Sequence, residues 1–468
     1  MNFNSLEFIA FLTATITIFN CSPRRFRQHV LLAASLYFYA AWNSAYLILL
    51  AFVVLTSYLT GLLMAARPGR LILFGSIACS LGVLSVFKYG DFAIGNINMA
   101  LRVLAEDMVI DDLRFLLPVG ISFYTFQAMA YVVDVYKRKT PYERNLVSYA
   151  LYITFFPQLV AGPIERPAHI LPQIKNNLEC LPQNIMPAFT LILSGFFRKL
   201  VIADRLGIFV DATHRTPGQF PPEQLLLAMY FFAFQIYCDF SGYTNIARGV
   251  ARLFNIELME NFDRPYFATS IQDFWKRWHI SLSTWFRDYL YIPLGGSRRG
   301  DARTLINIFI VFALCGLWHG AAYTFITWGV LHGALLMTQN VFSGYSRLHL
   351  PALRFPHPLM VFVTFHLVCL LWIFFRADTL KKAVVYILKL AHVPSWAVLD
   401  RLIFANYENF LSVLLIVALV LLESTSLRLE SLETRRRKMI GVCIHTALLF
   451  SILALGVFDN TTFIYFQF

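Results

Sequence analysis

At 468 residues, with 58% hydrophobic, 16% aromatic and only 14% charged side chains and a mean hydropathy of +0.61, the chain is too apolar for a string of soluble domains and fits a polytopic membrane protein. The formal net charge of +12 does not signal nucleic acid, because the basic residues gather in short loops between apolar runs: Arg24, Arg25 and Arg27, Arg67 and Arg70, Lys137 to Lys139, Arg435 to Lys438. Alternate loops carry them, which is the positive-inside pattern of a protein surrounded by membrane lipid.

In chain order, apolar runs fall at 5–20, 29–42, 46–66, 71–87, 116–135, 147–162, 186–210, 224–239, 304–342 (enough for two passes), 359–376, 409–422 and 439–458. Several are shorter than the ~20 residues of a full span, so the expected fold is an all-α membrane bundle of about ten to thirteen helices, some re-entrant or interfacial, in one domain over 1–468. The opening MNFNSLEFIAFLTATITIFNC lacks a basic leader and reads as a retained first helix. The stretch from Asp91 to Arg114 reads as an acidic outer loop, with the N-terminus and the tail after Val457 on the same side. The seven cysteines contain no C-x-x-C pair and read as buried small apolar residues, not as a disulfide framework or thiolate metal site.

The first ninety residues read as scaffold, with Gly61, Gly75 and Gly82 suited to close helix packing. From Leu117 the texture changes. PVGISFYTFQAMAYVVDVY sets Gln127 and Asp134 inside an apolar segment, where they face protein or a wet cavity. FFPQLVAGPIERPAHILPQI is too rich in proline for one straight helix. It is either a re-entrant element near a site, with Gln158, Glu165 and Arg166 as its polar end, or an ordinary interfacial loop. In QIYCDFSGYTNIARG, Asp239 sits beside Phe240 and needs a partner or a proton, and Arg248 is not at helical spacing to supply one.

Ser270 and Asp273 make a capping box, after which Trp275, Trp278, His279, Leu282, Phe286 and Tyr289 follow at spacings of three and four, predicting one amphipathic helix. The next loop, PLGGSRRG, is either a basic anchor or a cradle for phosphates of a cytoplasmic donor. Asn307 and Trp318 then lead to His319, whose neighbours Gly316 and Gly320 allow helices to close around it. An imidazole in so apolar a setting is either a satisfied core residue or a group placed there for proton transfer. His279, His319 and His332 lack the close spacing of a metal site, so no metal is expected.

RPYFATSIQDFWKRWHISLSTWFRDYLYIPLGG, followed by LCGLWHGAAYTFITWGVLHG, resembles the signature of the membrane-bound O-acyltransferase family, and PVGISFYTFQ, AGPIERP and YCDFSGYTNIARG extend the likeness, with a motif core at about 117–340. It is most similar to the bacterial branch that acetylates exopolysaccharides such as alginate or cellulose, with teichoic acid D-alanylation as a more distant relation. The resemblance implies a helical ring around a tunnel, His319 as the essential histidine, and His279 at a second position usually held by histidine or asparagine. It further implies a bacterial inner-membrane enzyme with no bound cofactor and with acetyl-CoA as donor. That enzyme would hand acetyl groups to a periplasmic acetyltransferase beside a polysaccharide synthase complex. The tail TTFIYFQF resembles a C-terminal acyl-transfer motif, making Tyr465 a candidate acyl carrier. Gln127, Gln158, Asp239, Trp275, Trp278, Asn307 and Trp318 complete the set expected to line the cavity or tunnel. The chemistry agrees: acyl transfer to a hydroxyl needs a base and an oxyanion stabiliser, and neutral imidazole suits the first at pH 7. Rival readings are a transporter or flippase that makes no bond, a scaffold for polymer-synthesis partners, and D-alanyl-type transfer to another envelope polymer.

Overall fold

Hydropathy and helical periodicity carry through to the structure, a computed structural model that describes residues 1–104, 108–346, 356–392, 395–429, 434–458 and 463–464. Among them regular structure is helical, with no strand and one isolated antiparallel bridge between Phe262 and Trp278. Among the described residues, seven helical segments are long and apolar enough to cross a membrane: Ser44–Ala66, Arg70–Leu104, Pro182–Arg215, Pro222–Leu253, Asp301–His319, His357–Arg376 and Tyr407–Ser424. Leu6–Cys21 and Gly441–Leu455 are apolar but shorter. The run expected to make two passes divides at Gly320, between Asp301–His319 and Tyr323–Ser346. Packing sorts the chain into two compact units, Met1–Phe189 with Ala247–Met259, and Thr190–Ile246 with Glu260–Phe468.

In the first unit Ile121–Tyr136 is buried along nearly its whole length, so Gln127 and Asp134 face protein and not lipid. Gly61 lets the neighbouring helix approach: a Cβ there would lie 2.5 Å from the Tyr131 hydroxyl. Gly75 and Gly82 would meet nothing within 4 Å, so the close-packing role expected for them is absent. The proline-rich stretch becomes the short helices Phe156–Leu159 and Pro167–Asn176, joined by backbone packed inside protein. Its polar groups act as joints. Gln158 Nε2 donates to the Tyr152 carbonyl at 2.7 Å. Fully buried Glu165 accepts from the Met259 N–H at 2.6 Å and pairs with His169 Nδ1 at 2.7 Å. The loop expected to begin at Asp91 does not begin there, because the 35-residue helix Arg70–Leu104 continues through that position. Asp91 and Asn98 still serve the returning chain, accepting from the Leu113 N–H at 2.7 Å and the Ile110 N–H at 2.8 Å.

The second unit is built around three tryptophans. Trp328 and Trp372 stack at 5.6 Å, and Trp278 lies 5.0 Å from Trp372. Asp301–His319 and Tyr323–Ser346 touch backbone to backbone, since a Cβ on Gly316 would fall 2.3 Å from the Phe325 carbonyl oxygen and one on Gly329 2.2 Å from that of Phe312. Small residues at such a crossing bring polar backbones together where lipid supplies no hydrophobic drive. Cys238, Cys315 and Cys369 are buried as expected, whereas Cys21 and Cys443 lie on the surface.

Candidate active site

The capping box forms as expected: Ser270 Oγ accepts from the Asp273 N–H at 3.1 Å, and Asp273 Oδ2 reaches back to the Thr269 N–H at 3.1 Å. The single helix expected beyond it does not form. Ile271–Arg277 ends, Trp278 turns extended, and His279, in the left-handed region at φ 42° and ψ 56°, caps a second helix, Ile280–Phe286. The break arises from backbone partners outside the helix. The Asp263 N–H donates to the Arg277 carbonyl, and the Ile280 N–H to that of Asn261, both at 3.0 Å. Asn261 Oδ1 accepts from the Ser281 N–H at 3.2 Å. A left-handed conformation costs a non-glycine residue about 1–2 kcal/mol, and it persists only where the surroundings over-determine it.

This turn drives His279 into the unit's interior. Its ring is fully buried, edge-on to Phe240 at 4.7 Å and 6.5 Å from the ring of His319. Trp318 lies against both, 6.1 Å from His279 and 4.9 Å from His319. His319 is the last residue of its helix, held by Trp328 at 5.1 Å and Phe375 at 5.3 Å, with Gly320 tight against the Phe325 ring. His279 lies outside the membrane-crossing segments, and burial pushes its imidazole down to about 3, so it stands neutral at physiological pH. His332 is engaged elsewhere, its Nδ1 accepting from Trp275 Nε1 at 3.3 Å. Among the described residues no three His, Cys, Asp or Glu side chains gather as metal ligands would.

A cavity of about 970 Å³ reaches Ile280, next in the chain to His279, and Cys315, on the helix that ends at His319, but neither histidine is on its wall. Lys276, Arg287, Gln272, Gln339 and Asn340 give it polar walls, and Trp275, Ile280, Phe312 and Cys315 apolar ones. Cys315 is one helical turn before His319. Tyr291 and Asp301, which flank the glycine–arginine loop, also line it, and Asn307 Nδ2 ties that loop to the helix through the Gly296 carbonyl at 2.9 Å. Such a space suits a molecule with an anionic, hydrogen-bonding part and an apolar or neutral end.

Of the seven lining residues expected, Trp275 is on this cavity's wall. Trp278 is buried between Phe262 and Trp372, Trp318 between the two histidines, and Asn307 holds the loop. Gln127 and Gln158 belong to the core of the first unit, and Tyr465 lies outside the described residues. Asp239 has the partner its burial demanded, Lys199, with Nζ 2.6 Å from Oδ1. Lys199 lies within the apolar run 186–210, where FRKLVIADR sets four charges inside a span, a sequence signal whose desolvation cost marks the position.

Comparison with known sequences identifies the family. Residues 138–376 match the profile of MBOAT, the membrane-bound O-acyltransferase family. The chain is 38% identical over 389 residues to a probable alginate O-acetylase of Pseudomonas putida, covering 82% of this chain and 79% of that one. It is 34% identical to a peptidoglycan O-acetyltransferase of Helicobacter pylori, covering 94% of this chain and 91% of that one. To a teichoic acid D-alanyltransferase of Bacillus subtilis it is 30% identical over 265 residues, 53% of this chain. A multi-pass helical chain with a buried histidine pair and an amphipathic cavity, this protein is an O-acyltransferase and belongs to the membrane-bound O-acyltransferase family.

Proposed function

We propose that this enzyme draws acetyl groups from a cytoplasmic thioester, acetyl-CoA, and relays them across the bacterial inner membrane for O-acetylation of an extracytoplasmic glycan. The observation that carries the reading is the pairing of two buried imidazoles 6.5 Å apart, with a cavity of about 970 Å³ that reaches Ile280 and Cys315 and has Lys276 and Arg287 on its wall. The basic side chains suit the phosphates of the donor, and Arg298 and Arg299 on the adjoining exposed loop suit a cytoplasmic mouth.

In the proposed step an acceptor hydroxyl oxygen attacks the thioester carbonyl carbon while its proton passes to a ring nitrogen of His319. The tetrahedral oxyanion collapses by breaking the carbon–sulfur bond, and the departing thiolate takes the proton back. His279 orients the acyl group or steadies the oxyanion. Positioned acid–base help of this kind contributes about 10² to 10⁴ in rate. Tyr465 is the proposed hydroxyl that carries the acetyl group onward, to a periplasmic acetyltransferase working beside a polysaccharide synthase complex. An alginate-type exopolysaccharide is one acceptor. Peptidoglycan is the second, favoured by the nearly end-to-end likeness to the Helicobacter enzyme.

The test is CoA release from labelled acetyl-CoA by membrane vesicles containing the protein, with glycan acetylation followed in cells. His319→Ala should insert normally and release no CoA above background. Undiminished release by that variant, or a thioester left intact by the unaltered protein, would overturn the proposal. Loss of acetyl from exopolysaccharide or from cell wall then identifies the acceptor.

A further inference from the structure

Away from the histidine pair, the second unit holds a largely buried ion pair that the reaction above does not use: Arg198 on the membrane-crossing segment Pro182–Arg215 and Glu423 on Tyr407–Ser424. Ionisable side chains at such positions are costly and mark function by default. Arg198 Nη2 donates to Glu423 Oε1 at 2.8 Å, and Nη1 donates to Ser241 Oγ at 2.9 Å. From a third segment, Pro222–Leu253, the Tyr237 hydroxyl donates to the same Glu423 Oε1 at 2.6 Å, with the guanidinium over its ring at 5.3 Å. Two well-packed apolar side chains in place of the charges would commonly hold the helices as firmly. They would leave the phenol of Tyr237, a residue only 2% exposed, without an acceptor.

The ring of Tyr237 leads to the site. It packs edge-on to Phe262 at 5.7 Å and Tyr266 at 5.4 Å, and lies 6.1 Å from Trp278. Phe262 and Trp278 are the two residues joined by the antiparallel bridge, their rings 5.0 Å apart, and the left-handed turn at His279 follows directly. Phe240, three positions after Tyr237 and therefore on the same helix face, packs on Phe262 at 5.0 Å and on His279 at 4.7 Å. We propose that Tyr237, tied by Glu423 and Arg198, is a positioning residue: its hydroxyl fixes the ring against which Phe262 and Trp278 close, and so fixes the turn that sets the His279 ring 6.5 Å from His319. Packed rings slide at little cost, whereas a hydrogen bond to an ionised carboxylate pins one atom. Catalytic groups need placement to within about 0.5 Å, and that calls for locked supporting side chains.

The proposal rests on the histidine reading above, and the test separates the two. CoA release is measured in vesicles carrying the full chain, varying acetyl-CoA, beside thermal melts. Tyr237→Phe keeps the ring and leaves Arg198 paired with Glu423, so it strands no charge. It should lower kcat roughly 10- to 100-fold, the cost of a misplaced reacting group, with KM for acetyl-CoA unchanged. The loss should run through His279. Added to His279→Asn, which already surrenders the imidazole, Tyr237→Phe should change the rate by less than about twofold, whereas added to Lys276→Gln with Arg287→Gln it should cost its full factor. Should Tyr237→Phe fail to fold, the triple variant Arg198→Met, Glu423→Leu, Tyr237→Phe carries the test. It removes both charges and the hydroxyl together, so it should fold and still show the same loss of kcat. Full kcat in either folded variant overturns the positioning role, as does an equal loss on adding Tyr237→Phe to His279→Asn and to the unaltered protein. Full turnover in His319→Ala overturns the histidine reading instead.

Discussion

At the scale of single residues, His279 does two jobs that different substitutions separate. Its ring faces Phe240 and His319, while its backbone sits at φ 42°. Asparagine tolerates the left-handed region better than other non-glycine residues, a physical reason for the alternation of histidine and asparagine that the family resemblance implies here. His279→Asn keeps the left-handed turn but loses the buried ring's packing, so it should melt below the unaltered protein and above His279→Ala. His279→Ala should lose about 1 kcal/mol or more from strain and a lost packing partner. Catalysis should fall in both to the extent that the imidazole serves the oxyanion, on the order of 10²- to 10³-fold. Thermal melts beside CoA-release rates check this; equal stability of the two variants would show that the backbone strain has no bearing. His279 and His319 were readable because a titratable ring is conspicuous among apolar neighbours. Lys199 was equally conspicuous in principle, but its partner Asp239 is forty positions away, and nothing local announces such a pairing.

At the scale of elements, the same residue type does opposite things according to what faces it. Gly316 and Gly329 sit where Asp301–His319 and Tyr323–Ser346 meet, with carbonyl oxygens 2.3 and 2.2 Å from any added Cβ. Backbone cannot yield as a side-chain tip can, so Gly316→Ala should force the helices apart, costing about 1–3 kcal/mol and moving His319 out of register. Gly75→Ala and Gly82→Ala, with nothing within 4 Å, should be neutral or stabilise slightly through better helix propensity, by at most about 1 kcal/mol. Melting temperatures of the three variants, with CoA release for Gly316→Ala, decide it. The broken helix at Trp278–His279 shows why sequence reading stopped short. The three-and-four spacing of Trp275, Trp278, Leu282 and Phe286 continues across the break, because periodicity records which side chains are apolar. It does not record that Asn261 offers its carbonyl and side chain to Ile280 and Ser281. A hydrogen-bond partner outside the element leaves no trace in the element's own pattern.

At the scale of the whole molecule, the cavity joins parts of the chain that no motif links: Lys276 and Arg287 from the broken helix region, Asp301 and Cys315 from one long helix, Gln339 and Asn340 from the next. If the donor's phosphates rest there, Lys276→Gln with Arg287→Gln should raise KM for acetyl-CoA by about tenfold or more, the worth of charge-assisted hydrogen bonds, and leave kcat nearly unchanged. An unchanged KM in the double variant, measured by the same CoA release, would remove the donor from this cavity. The sequence by itself determined that the chain lives in a membrane, that it is helical, and, through its motifs, that it resembles the membrane-bound O-acyltransferase family. The first two follow from hydropathy and periodicity and the third from short motifs, all of which are read over a few neighbouring positions. Tertiary structure alone decided the left-handed turn under His279, the close helix crossing that leads to His319, the walls of the cavity, and the burial of Ile464 against Asp239. Each of those depends on hydrogen bonds and close contacts between residues far apart in the chain, and such partners are chosen only when the helices pack.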